Sequence, residues 1–171
     1  QREPGIFSDL AAVREIRQLI RSWQPDTLFL NSSKAGFIGA LAARWWPAPL
    51  SKLRVIYRVG GWAFNDPRGK AENMLYRLFE KISARWKDII ILNNQHDVKQ
   101  AHTLKIRPRE RIELVYNGID PYKMDFIPRT EARLELLAKL PRQTTHLASS
   151  EMWLGTIANH YPTKGLCYLV E

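Results

Sequence analysis

Apolar positions change their period several times along this chain, and each change predicts an element. Leu10, Val13, Ile16, Leu19 and Ile20 recur three and four apart, which predicts a helix opening at Ser8, with Arg14, Arg17 and Arg21 on its other side. Pro25-Asp26 ends it, and Thr27–Leu30 is short and apolar, the length of a buried strand. A second helix is expected from Ser32-Ser33 through Ile38, Leu41 and Ala42 to Trp45, stopped by Pro47 and Pro49. Leu53–Val59 reads as the next strand. Ala71, Met74, Leu75, Leu78, Phe79 and Ile82 then form the clearest amphipathic pattern in the chain, with Arg77, Lys81 and Arg85 on its far side.

Ile89–Leu92 is β-branched and too short for a helix, so a buried strand is expected. A weaker helix over Asp97–Leu104, a strand over Ile112–Tyr116 and a turn at Asn117-Gly118 follow. Pro128 suits the first turn of a helix carrying Ala132, Leu134, Leu136, Leu137 and Leu140. Pro141–Ser150 is polar and reads as a linker; Met152–Ala158 reads as a strand and Lys164–Glu171 as the start of a helix. Strands alternating with helices, and without a solvent-facing polar alternation, predict an α/β fold: a Rossmann-like parallel sheet with helices on both faces. Loops after the strands then share one rim, where such sheets bind ligands.

Composition narrows the classes. No apolar run reaches the roughly 18 residues of a membrane span. One cysteine, Cys167, excludes an internal disulfide and a cysteine metal cluster, and fits a reducing, cytoplasmic setting. A formal charge of +9 attracts phosphates, whether of nucleotides, nucleic acid or anionic lipid. The basic residues are spread rather than clustered and no nucleic-acid-binding signature is present, so no nucleic-acid partner is expected.

Two stretches carry candidate chemistry. Asn31-Ser32-Ser33-Lys34 sits at a strand-to-helix turn, where backbone N–H groups and a lysine would hold an anion. The plainer reading has a serine capping the helix while Gly36 and Gly39 bring it close to the sheet. In Gly60-Gly61-Trp62 the glycines permit close approach of a ligand, Trp62 and Phe64 would wall a pocket, and Asn65-Asp66 would bind hydroxyls. The alternative is a turn with two buried aromatics. The histidines form no recognisable metal set and no nucleophile or catalytic residue stands out, so no metal is expected.

Taken in order, Gln24-Pro25-Asp26, Asn31–Gly36, Tyr57–Phe64, Asn117-Gly118-Ile119-Asp120, and Gly155–Ala158 followed by Lys164-Gly165 resemble the N-terminal domain of family 4 retaining glycosyltransferases of the two-Rossmann-domain (GT-B) type. The resemblance implies a nucleotide-sugar donor, a glycan or lipid-linked acceptor, and no cofactor. It places Asn31, Ser32, Ser33, Lys34, Gly60, Gly61, Trp62, Asn65, Asp66, Asn117 and Gly118 at the donor and acceptor cleft, and Lys164 on the donor diphosphate. Gly60 stands where relatives commonly carry a histidine, and Thr156 where they carry a second basic residue.

The implied organisation is an N-terminal domain over residues 1–142 lacking its first strand, then a linker and the beginning of a donor-binding domain over 143–171. The N-terminal half of a GT-B fold would be incomplete, and the isolated chain is expected to bind donor weakly and turn over none. Competing readings are a basic nucleic-acid-binding or non-catalytic α/β module, and an inactive truncated remnant. A membrane-borne acceptor would add peripheral contact with an anionic membrane at its inner face, through Arg77, Lys81 and Arg85.

Overall fold

The computed structural model describes residues 6–44, 53–139, 152–159 and 164–170. The chain divides into two compact units, Gln1–Asn117 and Gly118–Glu171. The boundary expected at residues 142–143 and the linker over 141–150 lie outside the described residues.

The first unit runs α1 (Ile6–Trp23), β1 (Thr27–Leu30), α2 (Ser33–Arg44), β2 (Arg54–Val59), α3 (Lys70–Ala84), β3 (Ile89–Leu92), α4 (Gln95–Thr103) and β4 (Arg111–Leu114). The strands form a four-stranded sheet in the order β1-β2-β3-β4, every pair parallel. Ser8 lies inside α1 rather than capping it. α4 starts two residues before the expected Asp97, because the Asn94 side chain accepts from the Asp97 backbone N–H and caps it.

Successive right-handed crossovers in one direction stack their helices on one face, and the core shows this. Leu30, Val55, Tyr57, Val59, Ile90 and Leu92 point into the main cluster with Ala40, Ala43, Ala84 and Ala101 of the helices. The residues that alternate with them stay outside that cluster, and Phe29 among them is half exposed. The expected α/β architecture, a parallel sheet flanked by helices, is the one observed, and Ile89 on the alternating side is buried as well.

Two glycines set how close α2 lies to the sheet. A Cβ on Gly36 would come within 2.5 Å of the Tyr57 ring, and one on Gly39 within 2.5 Å of the Leu30 side chain. The plainer reading of these glycines is the one the packing supports.

At the edge where the strands begin, Asp88 gathers the ends of several elements. Its carboxylate accepts from both the Arg44 guanidinium, at 2.8 and 3.0 Å, and the Val55 backbone N–H, at 2.7 Å. Arg109 lies 3.6 Å away. Burial lowers the Arg44 pKa, and the Asp88 charge opposes that shift; the pair ties α2 to β2 and β3.

In the second unit, a 3-10 turn over Pro121–Lys123 is capped by Asp120, and α5 (Arg129–Lys139) and the short α6 (Cys167–Val170) follow. Residues 152–159 form no strand, a correction to the expectation. Leu154 and Ile157 are exposed, and the described residues of the second unit include no strand that would give their backbone groups a ladder to join.

Candidate functional site

Because all four strands are parallel, the loops that follow β1, β2, β3 and β4 emerge at one edge of the first unit. Asn31–Ser33, Gly60–Asp66, Asn93-Asn94 and Val115–Asn117 therefore share that rim, the position at which open α/β sheets bind ligands. The fold brings together the sequence-predicted residues of this unit, and it assigns them unequal roles.

Ser32 is the cap of α2, its hydroxyl accepting from the Ala35 N–H at 3.2 Å. Ser33 lies 3.5 Å from the Tyr57 hydroxyl. Lys34 forms an ion pair with Asp9 of α1 at 2.7 Å, so part of its charge is spent within the fold. Gly60 and Gly61 are exposed, and a Cβ on either would meet nothing within 4 Å. Gly61 has φ +152°, which glycine alone adopts without strain, whereas Gly60 needs no such freedom.

Trp62 is turned inward. It is 2% exposed, stacks on Phe64 with ring centroids 5.4 Å apart, and donates from Nε1 to the Asp97 carbonyl at 3.1 Å. The pocket-wall reading of these two aromatics gives way to the buried-turn alternative, because a buried indole must place its N–H on an acceptor and α4 supplies one. Asn65 is engaged with Gln100 in a reciprocal amide pair at 2.8 and 3.0 Å. Asp66 lies 3.4 Å from Arg68. The loop after β2 is thus anchored to α4 through Trp62 and Asn65, which leaves the glycine pair as its outward-facing part.

Arg58 is a rim residue that the sequence reading overlooked. It lies one position before the end of β2 and donates from Nη2 to Asn117 Oδ1 at 2.7 Å, across the intervening β3. Its signal was an arginine inside the apolar run Val55–Val59. Asn93 also belongs here, with Nδ2 3.5 Å from the Gly60 carbonyl and Oδ1 accepting from Asn94. A guanidinium, two carboxamides and an unencumbered glycine backbone can together hold an anionic group and neighbouring hydroxyls.

Behind the rim lies a buried polar cluster. The Tyr57 hydroxyl donates to Glu80 Oε1 at 3.0 Å, and Lys87 Nζ donates to Glu80 Oε2 at 3.1 Å and to the Ser83 hydroxyl at 3.0 Å. The same ammonium sits 3.9 Å from the Tyr57 ring centroid. Burial lowers the Lys87 pKa against the raising effect of Glu80, and burial followed by the Glu80 charge carries Tyr57 above the ordinary tyrosine range. The cluster joins β2, α3 and the start of β3 directly beneath the first residue of α2.

In the second unit, Lys164 and Gly165 line a shallow cleft with Leu154, Gly155 and Thr156. Lys164 and Thr156, eight residues apart in sequence, therefore line the same cleft. Gly118 opens this unit, exposed and with no neighbour within 4 Å of a Cβ.

The model of the glycosyl transferase 4-like domain matches residues 1–118, the stretch that contains this sheet and its rim. The chain belongs to that family. Among curated proteins, it is similar to the UDP-Gal:alpha-D-GlcNAc-diphosphoundecaprenol alpha-1,3-galactosyltransferase of Escherichia coli, with 26% identity over 120 residues. The match covers 70% of this chain and 30% of that enzyme. The parallel sheet with its one-edged rim is the fold expected of such a glycosyltransferase domain. Among the described residues, no helix is long and apolar enough to cross a membrane.

Proposed function

We propose that this glycosyltransferase domain contributes one side of a cleft in which a sugar passes, with retention of configuration, from a nucleoside diphosphate to a lipid-linked glycan at a membrane. The observation that carries the reading is the family match over the same 118 residues that bring Arg58, Asn93, Asn117 and Gly60-Gly61 to one rim. The relative's name, which specifies a UDP-galactose donor and a diphosphoundecaprenol-linked acceptor, supports that substrate class.

In this reading Arg58 offers its remaining N–H groups to a phosphate or sugar oxyanion, oriented by Asn117. Gly60 and Gly61 let the backbone approach the sugar without a Cβ between them, and Asn93 hydrogen-bonds a hydroxyl. Transfer then rests on orienting acceptor and leaving group and on stabilising the charge that develops on the diphosphate. In the second unit, Lys164 keeps its proposed role as a diphosphate-binding residue, on a cleft that it lines with Thr156.

Amide chemical shifts followed during titration with UDP-galactose test this. Gly60, Gly61, Asn93 and Asn117 are expected to move together, and Arg58→Ala is expected to weaken binding by about tenfold, as loss of one charge-assisted hydrogen bond does. Shifts confined to other parts of the unit, or an unchanged affinity in Arg58→Ala, would refute the assignment of the rim.

A further inference from the structure

Helix α3 is inserted with its most apolar side outward. Glu80, Ser83 and Ala84 are its buried residues, and the Glu80 carboxylate is clasped by Tyr57 and Lys87 inside the core. On the opposite side Met74 is 73% exposed, and Leu75, Leu78 and Ile82 are each 45% to 50% exposed, while Phe79 at their border is in ring contact with Phe37 of α2. The ion pair fixes this rotation. Turning the helix to bury the apolar stripe would carry Glu80 into water and leave the Lys87 ammonium unpaired in the core, a strongly destabilising change.

The same solvent side carries cations. Lys70, Arg77, Lys81 and Arg85 are exposed, and they lie at seven- and four-residue spacing, alongside the apolar stripe. The remaining acid of the helix, Glu72, is paired with Arg68 at 2.6 Å. Leu, Ile and Met bordered by Lys and Arg on a solvent-exposed helix are the chemistry of an interfacial segment that lies in the headgroup layer.

We propose that the outer face of α3 docks against an anionic bilayer, its apolar stripe entering the headgroup boundary and its cations meeting lipid phosphates. Charge complementarity selects this occupant, since the whole chain carries +9. A second copy fits less well: a self-complementary interface centred on the stripe would bring each basic row near its counterpart. The proposal deepens the reading of a membrane-borne acceptor and rests on that reading for its purpose. Vesicle binding needs neither donor nor acceptor, so the two can fail separately.

The test is co-sedimentation of the chain with vesicles of phosphatidylcholine alone and of phosphatidylcholine mixed with phosphatidylglycerol, at low and high salt. Wild type is expected to bind the anionic vesicles at least about tenfold more tightly, and to lose that preference as salt rises. Arg77→Glu with Lys81→Glu should weaken binding roughly 25-fold or more, at about fivefold per charge. Leu78→Ser with Ile82→Ser should weaken it roughly tenfold. Both pairs are exposed, and circular dichroism verifies that the fold is kept. A charge-matched control on and beyond α4, Lys99→Glu with Arg107→Glu, should weaken binding less than about threefold if the effect is local.

Equal partition onto neutral and anionic vesicles would overturn the proposal. So would α3 variants that bind like wild type, or a control that loses as much as they do. A dimer seen by analytical ultracentrifugation and abolished by Leu78→Ser with Ile82→Ser, without vesicle binding, would assign the face to a second copy instead.

Discussion

Replacing Gly36 with alanine puts the close approach of α2 to the sheet to a quantitative test. The new Cβ would lie 2.5 Å from Tyr57 Cε2, 2.8 Å from Cδ2 and 2.9 Å from Cζ. Ordinary van der Waals contact begins at 3.4 Å, so the ring or the helix would have to give by 0.9 Å, the difference between 3.4 and 2.5 Å. The ring has little freedom to do so, with its hydroxyl 3.0 Å from Glu80 and the Lys87 ammonium 3.9 Å from its centroid. Alanine gains about 1 kcal/mol over glycine in a helix interior. Overpacking costs about 1–3 kcal/mol, and a stretched hydrogen bond to a buried carboxylate costs about 1.5–3 kcal/mol. The net expectation is destabilisation by about 1.5–5 kcal/mol, which lowers the urea midpoint by about 0.8–2.5 M at a slope of about 2 kcal/mol per M. Tryptophan fluorescence during urea unfolding reads it. A midpoint equal to or above that of wild type would refute the reasoning. The double variant Gly36→Ala with Tyr57→Val removes all three crowded atoms, so the two costs should fall short of additivity by more than about 1 kcal/mol. Strict additivity would show that the ring is not what Gly36 accommodates.

Two further outcomes follow from the buried cluster. Lys87→Met strands the Glu80 carboxylate in the core and is expected to cost about 3–5 kcal/mol, partly recovered when Glu80→Gln is added; denaturant unfolding of the single and double variants checks both. Tyr57 has a folded-state pKa raised above its ordinary 10.0, by burial first and by Glu80 second. The unfolded chain therefore releases this proton more readily, so the contribution of Tyr57 is whole below pH 10 and is lost as the pH climbs above it toward the raised folded value. Unfolding midpoints of Tyr57→Phe should fall less steeply than those of wild type over that range, and parallel slopes would contradict the assignment.

Hydrophobic pattern alone was enough to place β1 and β3 to the residue, because a short apolar run bounded by polar residues has few other ways to fold. It also placed the four loops on one rim, since parallel strands joined by helices leave no alternative. The expected strand over Met152–Ala158 failed for the converse reason: a strand's stability lies in its neighbours, and a local pattern cannot show whether a neighbour exists.

The orientation of side chains was decided by tertiary structure. Period identified α3 as amphipathic, yet the buried Glu80–Lys87 pair, seven residues apart in sequence, determined which side faces inward. Trp62 could have walled a pocket or filled the core, and the Asp97 carbonyl on a separate helix settled it. Arg58 and Asn117 are distant in sequence and meet only because β2 and β4 flank β3. Each of these outcomes depends on a partner that lies on another element, and the energy of a buried charge or N–H is set by that partner rather than by its own neighbours in the chain.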